Sequence, residues 1–505
     1  MVPGAPFPAV APFDQALVAA VHPPEWVNPT PRDRYHLVVV GAGTAGLVTA
    51  AAAAGLGARV ALVERHLMGG DCLNAGCVPS KAMLSAGRAW AAARQAAAEF
   101  GGPVASGDGD FAAAMQRLRR LRARLAPVDG AERFRGLGID VFFGQGTFAS
   151  PTRLEVGGLG LQFRRAVIAT GARAAVPAIP GLTAAGYHTN ESIFDLTTRP
   201  EHLVVLGAGP IGCELAQAFA RLGVRVTLVD QGRGVLARED RDAAQVVQVA
   251  LQHDGVDVVD EATPSRIEQV GVLRRVVCQR HGVEQVITCD ALLVATGRAA
   301  NVEGLGLDTA GVRATSAGIE VDDRLRTANA RIYAVGDVCS AFKFTHAADA
   351  QARLVVQNAM FFGRARASRL VIPWAAYTSP ELARVGLTEA EAGAAGVAVD
   401  VVTVPMHDVD RAVLDGDERG LLKLVLARGT DRILGATLVA SGAGDLIAEV
   451  TLAMTEGVGL GRIGQTIHPY PTRSEVFRKA ADRWRRRKLT PTVQRLLARY
   501  FAWIT

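Results

Sequence analysis

One pattern constrains the fold more than any other, because it occurs twice. From Tyr35, YHLVVVGAGTAG reads as an apolar strand that turns through Gly41, Gly43 and Gly46 into an alanine-rich helix, and a second strand, RVALVE, ends at Glu64. From His202, HLVVLGAGPIG repeats the strand, turns through Gly207, Gly209 and Gly212, and closes with RVTLVD at Asp230. The offset from first glycine to acid is 23 residues in both copies. Glycines in such a turn let the backbone approach a pyrophosphate at a helix N-terminus, and the terminal carboxylate accepts hydrogen bonds from ribose hydroxyls. A lone GxGxxG is weak evidence, but two complete strand-turn-helix-strand-acid units predict an α/β chain with two Rossmann-like dinucleotide-binding domains. Two units imply two dinucleotides, and the economical pairing is FAD with a nicotinamide nucleotide. Asp230 favours NAD(H), since a carboxylate binds a 2′-OH and repels a 2′-phosphate. Arg225, Arg233 and Arg238 lie close by in sequence and keep NADP(H) as the alternative.

Shorter elements bracket the second unit. VIATGA, with Thr170 and Gly171, and LVATGR, with Gly297, each read as a strand ending in a tight turn. In RIYAVGDV, Gly336 and Asp337 follow a short buried strand at its carboxyl end, where open α/β sheets bind ligands. Asp337 is thereby placed to meet a flavin's ribityl chain. Leu37 to Ala58 runs 22 residues without a charge, long enough to cross a bilayer, but its glycines assign it to the first unit.

GGDCLNAGCVPSK, residues 69–81, sets Cys72 and Cys77 five positions apart. On a regular helix their Cα atoms would lie about 8.7 Å apart, beyond disulfide reach. Gly76 and Pro79 predict instead an irregular turn running into a helix. A redox dithiol and a metal clip both remain open on spacing alone. Lys81 stands out because the chain holds only five lysines and uses arginine elsewhere.

At 505 residues and 49% hydrophobic, the chain can build several cores. Its six cysteines are too sparse for a secreted disulfide scaffold, and no further Cys or His cluster completes a metal site, so none is expected. A reducing, cytoplasmic setting follows. The first basic residue is Arg32 and Asp14 interrupts the early apolar stretch, so no signal peptide is expected. Residues 1–34 read as a short extension rich in Pro and Ala. Residues 111–126, FAAAMQRLRRLRARLA, read as an amphipathic helix with a solvated arginine face and not a nucleic-acid site. Near the carboxyl end, residues 416–439 read as a strand pair followed by a helix in GDLIAEVTLAMTEG. The tail, 483–505, sets five basic residues ahead of an amphipathic helix that starts at Thr490-Pro491. Such a helix can pack on the protein's own dimer or lie on the inner face of a membrane, with Tyr500 and Trp503 at the interface.

Taken in order, GAGTAG, Glu64, GGDCLNAGCVPSK, the two ATG turns, GAGPIGCE, IYAVGD and HPYPTRSE resemble the pyridine nucleotide-disulfide oxidoreductases over roughly residues 35–482. Lipoamide dehydrogenase, glutathione reductase and mercuric reductase belong to that family. TSPELARVGLTEAE and the HPYPT wording place the likeness nearest its mercuric-reductase-like branch. The resemblance implies an FAD domain (35–185 and 312–370) split around an NAD(P) domain (186–311), then a dimer-interface domain (371–482), with the basic amphipathic helix of 483–505 lying beyond it. It implies a relay from NAD(P)H through FAD to a Cys72–Cys77 disulfide, and on to a disulfide, a thiophilic metal or a quinone-type acceptor. Cys77 becomes the flavin-proximal thiol, and Cys72 the interchange thiol, its thiolate supported by nearby positive potential. Lys81 pairs with Glu214 beside the flavin. A homodimer is implied, each active site completed by the partner's C-terminal domain.

The chain departs from the family at that last point. Tyr470 stands where the family carries a histidine, Glu475 is retained, and His468 lies two residues early. A phenol with a pKa near 10 is a poor proton acceptor from a thiol at neutral pH. Efficient dithiol exchange, as with dihydrolipoamide, is therefore not expected unless His468 acts in its place. No cysteine follows Cys339, so the terminal pair that delivers mercuric ion is missing. A second functional class stays in view, a membrane-recruited partner of a transport or electron-transfer assembly whose reductase activity is secondary.

Overall fold

The computed structural model describes residues 12–107 and 109–504. Its first sheet grows from β1 (Tyr35–Val40), whose apolar residues are buried on both faces between parallel neighbours. β2 (Val60–Glu64) and β3 (Asp140–Phe143) continue it on one side. On the other side β1 pairs with the strand Leu159–Ile168, which also forms an antiparallel arm with Arg153–Val156 and Thr147–Ser150. The late strand Ile332–Ala334 returns to pair with Leu159–Ile168, register Ala334 to Ile168. The chain thus leaves this sheet, builds another, and comes back.

The intervening sheet is parallel, in the order Val256–Val259, Arg225–Val229, His202–Leu206, Ala291–Val294. An antiparallel three-stranded sheet spanning 262–289 lies in the same stretch. The carboxyl third forms a five-stranded antiparallel sheet in which Leu421–Ala427 and Ile433–Ala440 are the predicted strand pair. The helix Ala443–Thr455 follows it. The charge-free stretch from Leu37 is strand, turn and helix, and no described helix is long and apolar enough to cross a membrane.

The helices that position the site are α1 (Pro12–Val21), α2 (Thr44–Gly55), α3 (Gly70–Asn74), α4 (Cys77–Phe100) and α5 (Phe111–Leu125). α5 corrects one expectation. Its arginines are not all a solvated face, because Arg119 and Arg122 are buried. Arg122 donates to Asp14 at 2.8 Å, and Arg119 donates to the carbonyls of Phe194 and Leu196. The reason is α1, whose Leu17 and Val21 are fully buried in the first core and carry Asp14 inward with them.

Candidate active site

The two glycine turns are built alike. Gly41 and Gly207 have φ of 101° and 106°, where a side chain is strained, and a Cβ there would meet the carbonyl oxygen of Ala169 or Ala295 at 2.4 or 2.5 Å. Gly46 and Gly212 bring the helix against the turn so closely that a Cβ would lie 1.8 Å from the carbonyl oxygen of Gly41 or Gly207. Gly43 and Gly209 are the N-caps of the two helices. Each acid holds its own turn. Glu64 Oε2 accepts from Ala42 N at 2.7 Å, and Asp230 Oδ2 accepts from Ala208 N at 2.6 Å. Burial raises the Glu64 carboxyl above the ordinary range, opposed by its backbone hydrogen bonds.

The Thr170-Gly171 turn lies against the first glycine turn and the turn at Gly297 follows Ala295 and Thr296, which lie against the second. Thr170 Oγ1 donates to the Asn301 carbonyl at 2.7 Å, tying the Thr170-Gly171 turn to the chain just after Gly297. Gly336 follows the returning strand, with its N–H donating to Gln351. Asp337 lies 3.5 Å from Arg298, which also reaches Asp71 at 3.2 Å, and burial raises the Asp337 carboxyl. A cleft runs along Gly41, Glu64, Arg65, Gly144, Thr170 and Asn301. Glycine turn, acid and cleft together fit the adenosine end of a dinucleotide.

The cysteine segment is the irregular turn its glycine and proline predicted. α3 ends at Asn74, Gly76 takes φ −128° and ψ −109°, and α4 starts at Cys77. Gly70 abuts Gly43 so tightly that a Cβ on it would lie 2.7 Å from the Gly43 Cα, which sets the cysteines beside the first turn. Both cysteines are thiols here, and they interact. The hydrogen bond from Cys72, then Thr345 and the positive charge of Lys81, lower Cys77 to about 6, against an opposing burial effect. Cys72 moves the other way, upward, through that same hydrogen bond and burial. These interactions favour the thiolate on Cys77 over Cys72, the opposite direction to the expectation that Cys72 carries the thiolate character.

Lys81 Nζ donates to Glu214 Oε2 at 2.8 Å, as predicted. Two residues that sequence reasoning missed complete this cluster. Tyr377 lies under Lys81, 4.4 Å from ammonium to ring centre, and its backbone N–H donates to Glu214 Oε1 at 2.9 Å. Thr345 opens the helix Thr345–Met360 and places Oγ1 3.4 Å from Cys77 Sγ. It stands 268 residues away in sequence, with no local signal to link the two.

Tyr470, His468 and Glu475 share no hydrogen bond with one another among the described residues. Tyr470 is 69% exposed and donates to Asp410 at 2.9 Å, a bond that raises its phenol further. His468 pairs with Glu449 at 2.9 Å, with its side chain 5% exposed, and its Nδ1 is buried without a partner among the described residues. Glu475 is buried against Arg478. Among the described residues Glu475 makes no hydrogen bond to His468.

Comparison with known proteins agrees with this arrangement. Residues 35–352 match the family described as pyridine nucleotide-disulphide oxidoreductase, and 372–481 match its dimerisation domain. Mercuric reductase of Streptomyces lividans is 36% identical over 455 residues, 89% of this chain and 96% of that protein. Dihydrolipoyl dehydrogenase of Bacillus subtilis is 30% identical over 465 residues, 88% and 97%. Among solved structures, the Cu(II) complex of the HOCl-induced flavoprotein disulfide reductase RclA from Escherichia coli superposes with a TM-score of 0.79 at 30% identity, covering 89% of this chain and 99% of that one.

Proposed function

The chain belongs to the pyridine nucleotide-disulphide oxidoreductase family and is an oxidoreductase of the flavoprotein disulfide reductase type. From that premise we propose that it takes electrons from NADH in preference to NADPH, passes them to the Cys72–Cys77 pair, and delivers them to a small acceptor that demands little proton transfer. Quinones and thiophilic metal ions are of that kind, and among disulfides an activated small one, whose leaving thiolate needs no proton, fits best. The boundaries assigned above follow this reading, with the FAD domain split at 185 and 312 and the interface domain spanning 371–482.

The observation that carries the proposal is the asymmetry of the thiol pair. Bound FAD supplies the two-electron carrier between nicotinamide and disulfide. The protein does the rest. The glycine turns and acids seat two dinucleotides, and the Lys81–Glu214 pair fixes one positive charge at the cysteine site. Reduction of the disulfide takes up two electrons and one proton, leaving a Cys77 thiolate and a Cys72 thiol. Cys72 must lose that proton before it attacks an acceptor, and Tyr470 from the partner subunit's interface domain is a poor base for it. Acceptors that react with the dithiol without this step are therefore favoured.

Anaerobic titration of the purified holoenzyme with NADH tests the reading. The expected result is uptake of two electrons beyond those the flavin takes, with a long-wavelength thiolate-flavin band. Bleaching of the flavin alone would leave the cysteines without this role.

One feature favours a second reading, recruitment to an anionic membrane surface. The terminal helix Pro491–Ile504 has no buried residue, and Tyr500 and Trp503 are 52% and 80% exposed. No acidic residue follows Asp482, whereas Lys488, Arg495 and Arg499 flank the apolar stripe. Cosedimentation with phosphatidylserine vesicles tests it. Deletion of 489–505 should abolish binding with turnover unchanged, and loss of the dimer instead would assign the helix to self-packing.

A further inference from the structure

Residues 12–34 precede the region matched by the family, yet they are built into the body of the protein. Two routes lead from them to the cysteine segment. Val21, the last residue of α1, accepts from Met68 N at 3.1 Å, which fixes the lead-in to α3. Asp14 Oδ1 accepts from Arg122 Nη2 at 2.8 Å, and Arg122 Nη1 donates to the Asn74 carbonyl at 2.8 Å. Asn74 lies between Cys72 and Cys77. Its side chain closes the segment on itself by donating to the carbonyls of Met68 and Gly70 at 3.0 and 2.8 Å. Beyond α1, Asn28 bonds both the N–H and the carbonyl of Phe143 in β3, at 2.8 and 2.9 Å, so the extension is fastened at both ends.

We propose that this N-terminal extension is a positioning element for the redox turn, acting through Asp14 and Arg122 on the backbone between the two cysteines. The proposal rests on the assignment of Cys72 and Cys77 as the redox pair. Arg122 is 1% exposed and Asp14 7% exposed. A guanidinium so buried needs its carboxylate, because an unpaired charge there carries an uncompensated desolvation cost. The pair therefore holds one geometry, and the Asn74 carbonyl is held with it. A disulfide forms only when the two Cα atoms approach within a narrow range. The tethered turn keeps the two thiols in contact with each other, so a turn released from the tether brings them together less often and the disulfide becomes easier to reduce. Asp14 and Arg122 touch no reacting atom: the disulfide takes two electrons and one proton whether or not they are present. Their effect falls on the equilibrium alone.

The test uses the full-length holoenzyme and the double variant Asp14→Leu/Arg122→Met. It replaces the Asp14–Arg122 pair by apolar side chains and removes the donor to Asn74, while Arg119, 3.7 Å from Asp14, keeps its bonds to the carbonyls of Phe194 and Leu196. The dithiol-disulfide equilibrium is read against a glutathione redox buffer, with thermal melting as the control on folding. The expected result is wild-type melting with an equilibrium moved at least tenfold toward the dithiol, ~30 mV for a two-electron couple. Flavin reduction in a Cys72→Ser background should not change with the pair, which separates a tether on the turn from a general loosening of the site. Asp14→Asn, which keeps the shape of the side chain, is the second variant should the double fail to fold, with an expected shift of threefold or more. A folded variant whose equilibrium stays within twofold of wild type overturns the proposal, as does an equal change in the Cys72→Ser background. A wild type that titrates only as a flavin would remove the redox-pair assignment itself, an outcome distinct from either.

Discussion

Replacing Cys72 by alanine removes the group that most lowers the Cys77 thiol, and the consequence can be worked out in advance. With Cys72 present, Cys77 is lowered to about 6 from an ordinary value of 9.0, and the hydrogen bond from Cys72 is the largest contribution. A hydrogen bond to a charged group contributes about 1.5–3 kcal/mol, which corresponds to roughly one to two pH units at about 1.4 kcal/mol each. Cys72→Ala should therefore raise the Cys77 midpoint to about 7–8. It should not return fully to the ordinary value, because Thr345 and the Lys81 ammonium still favour the thiolate. The sign is that of a lowered acid. The thiolate is present above the midpoint and is lost as pH falls through it, so the alanine variant loses its thiolate at a higher pH. Cys72→Ser keeps an O–H donor and should titrate between the two. The assay is the pH dependence of the thiolate-flavin band in each holoenzyme, wild type being measured after two-electron reduction. Alanine and serine variants with the same midpoint would refute the hydrogen bond as the cause. An alanine variant still titrating near pH 6 would move the cause to Lys81.

Two further substitutions test other parts of the proposed activity. Asp230→Ser should lessen the preference for NADH, measured as the ratio of kcat/KM values for the two nucleotides, since it removes both a ribose acceptor and a repulsive charge. A wild type that already prefers NADPH tenfold, about 1.4 kcal/mol, contradicts the Asp230 argument. Tyr470→His should raise lipoamide-dependent turnover while leaving quinone reduction within twofold. Wild-type lipoamide turnover on the order of 10 s⁻¹ or more would show that Tyr470 is no obstacle.

Much of the fold was legible because the signals were local. Each glycine turn, its strand and its acid fall within thirty residues, and the steric demands at Gly41, Gly46, Gly207 and Gly212 can be met only by glycine. The Lys81–Glu214 pair was reachable by resemblance although 133 residues separate its members. Burial of α5's arginines was not legible. In sequence, Arg119 and Arg122 differ in no way from their exposed neighbour Arg120. They are buried because α1 brings Asp14 against one face of the helix, and nothing in a Pro- and Ala-rich extension announces that it will dock.

The chemical weight of Tyr470 depends on something no motif contains, namely where the proton of the reduced pair resides. The CxxxxC spacing is symmetric with respect to the two thiols. Thr345 acts on both thiols, and it is the Lys81 charge, felt by Cys77, that breaks the symmetry. Stabilising one thiolate beside a second thiol raises the second, because the proton it keeps is the one its neighbour accepts as a hydrogen bond. The better the flavin-proximal thiolate is held, the more the outer thiol depends on an external base. In this chain the tyrosine at that place is occupied with Asp410, and the nearby histidine is occupied with Glu449. On the proposed reading, the charge arrangement that favours taking electrons into the pair therefore disfavours handing them out to an unactivated disulfide such as lipoamide, and acceptors that make less demand on the Cys72 proton are expected to turn over faster.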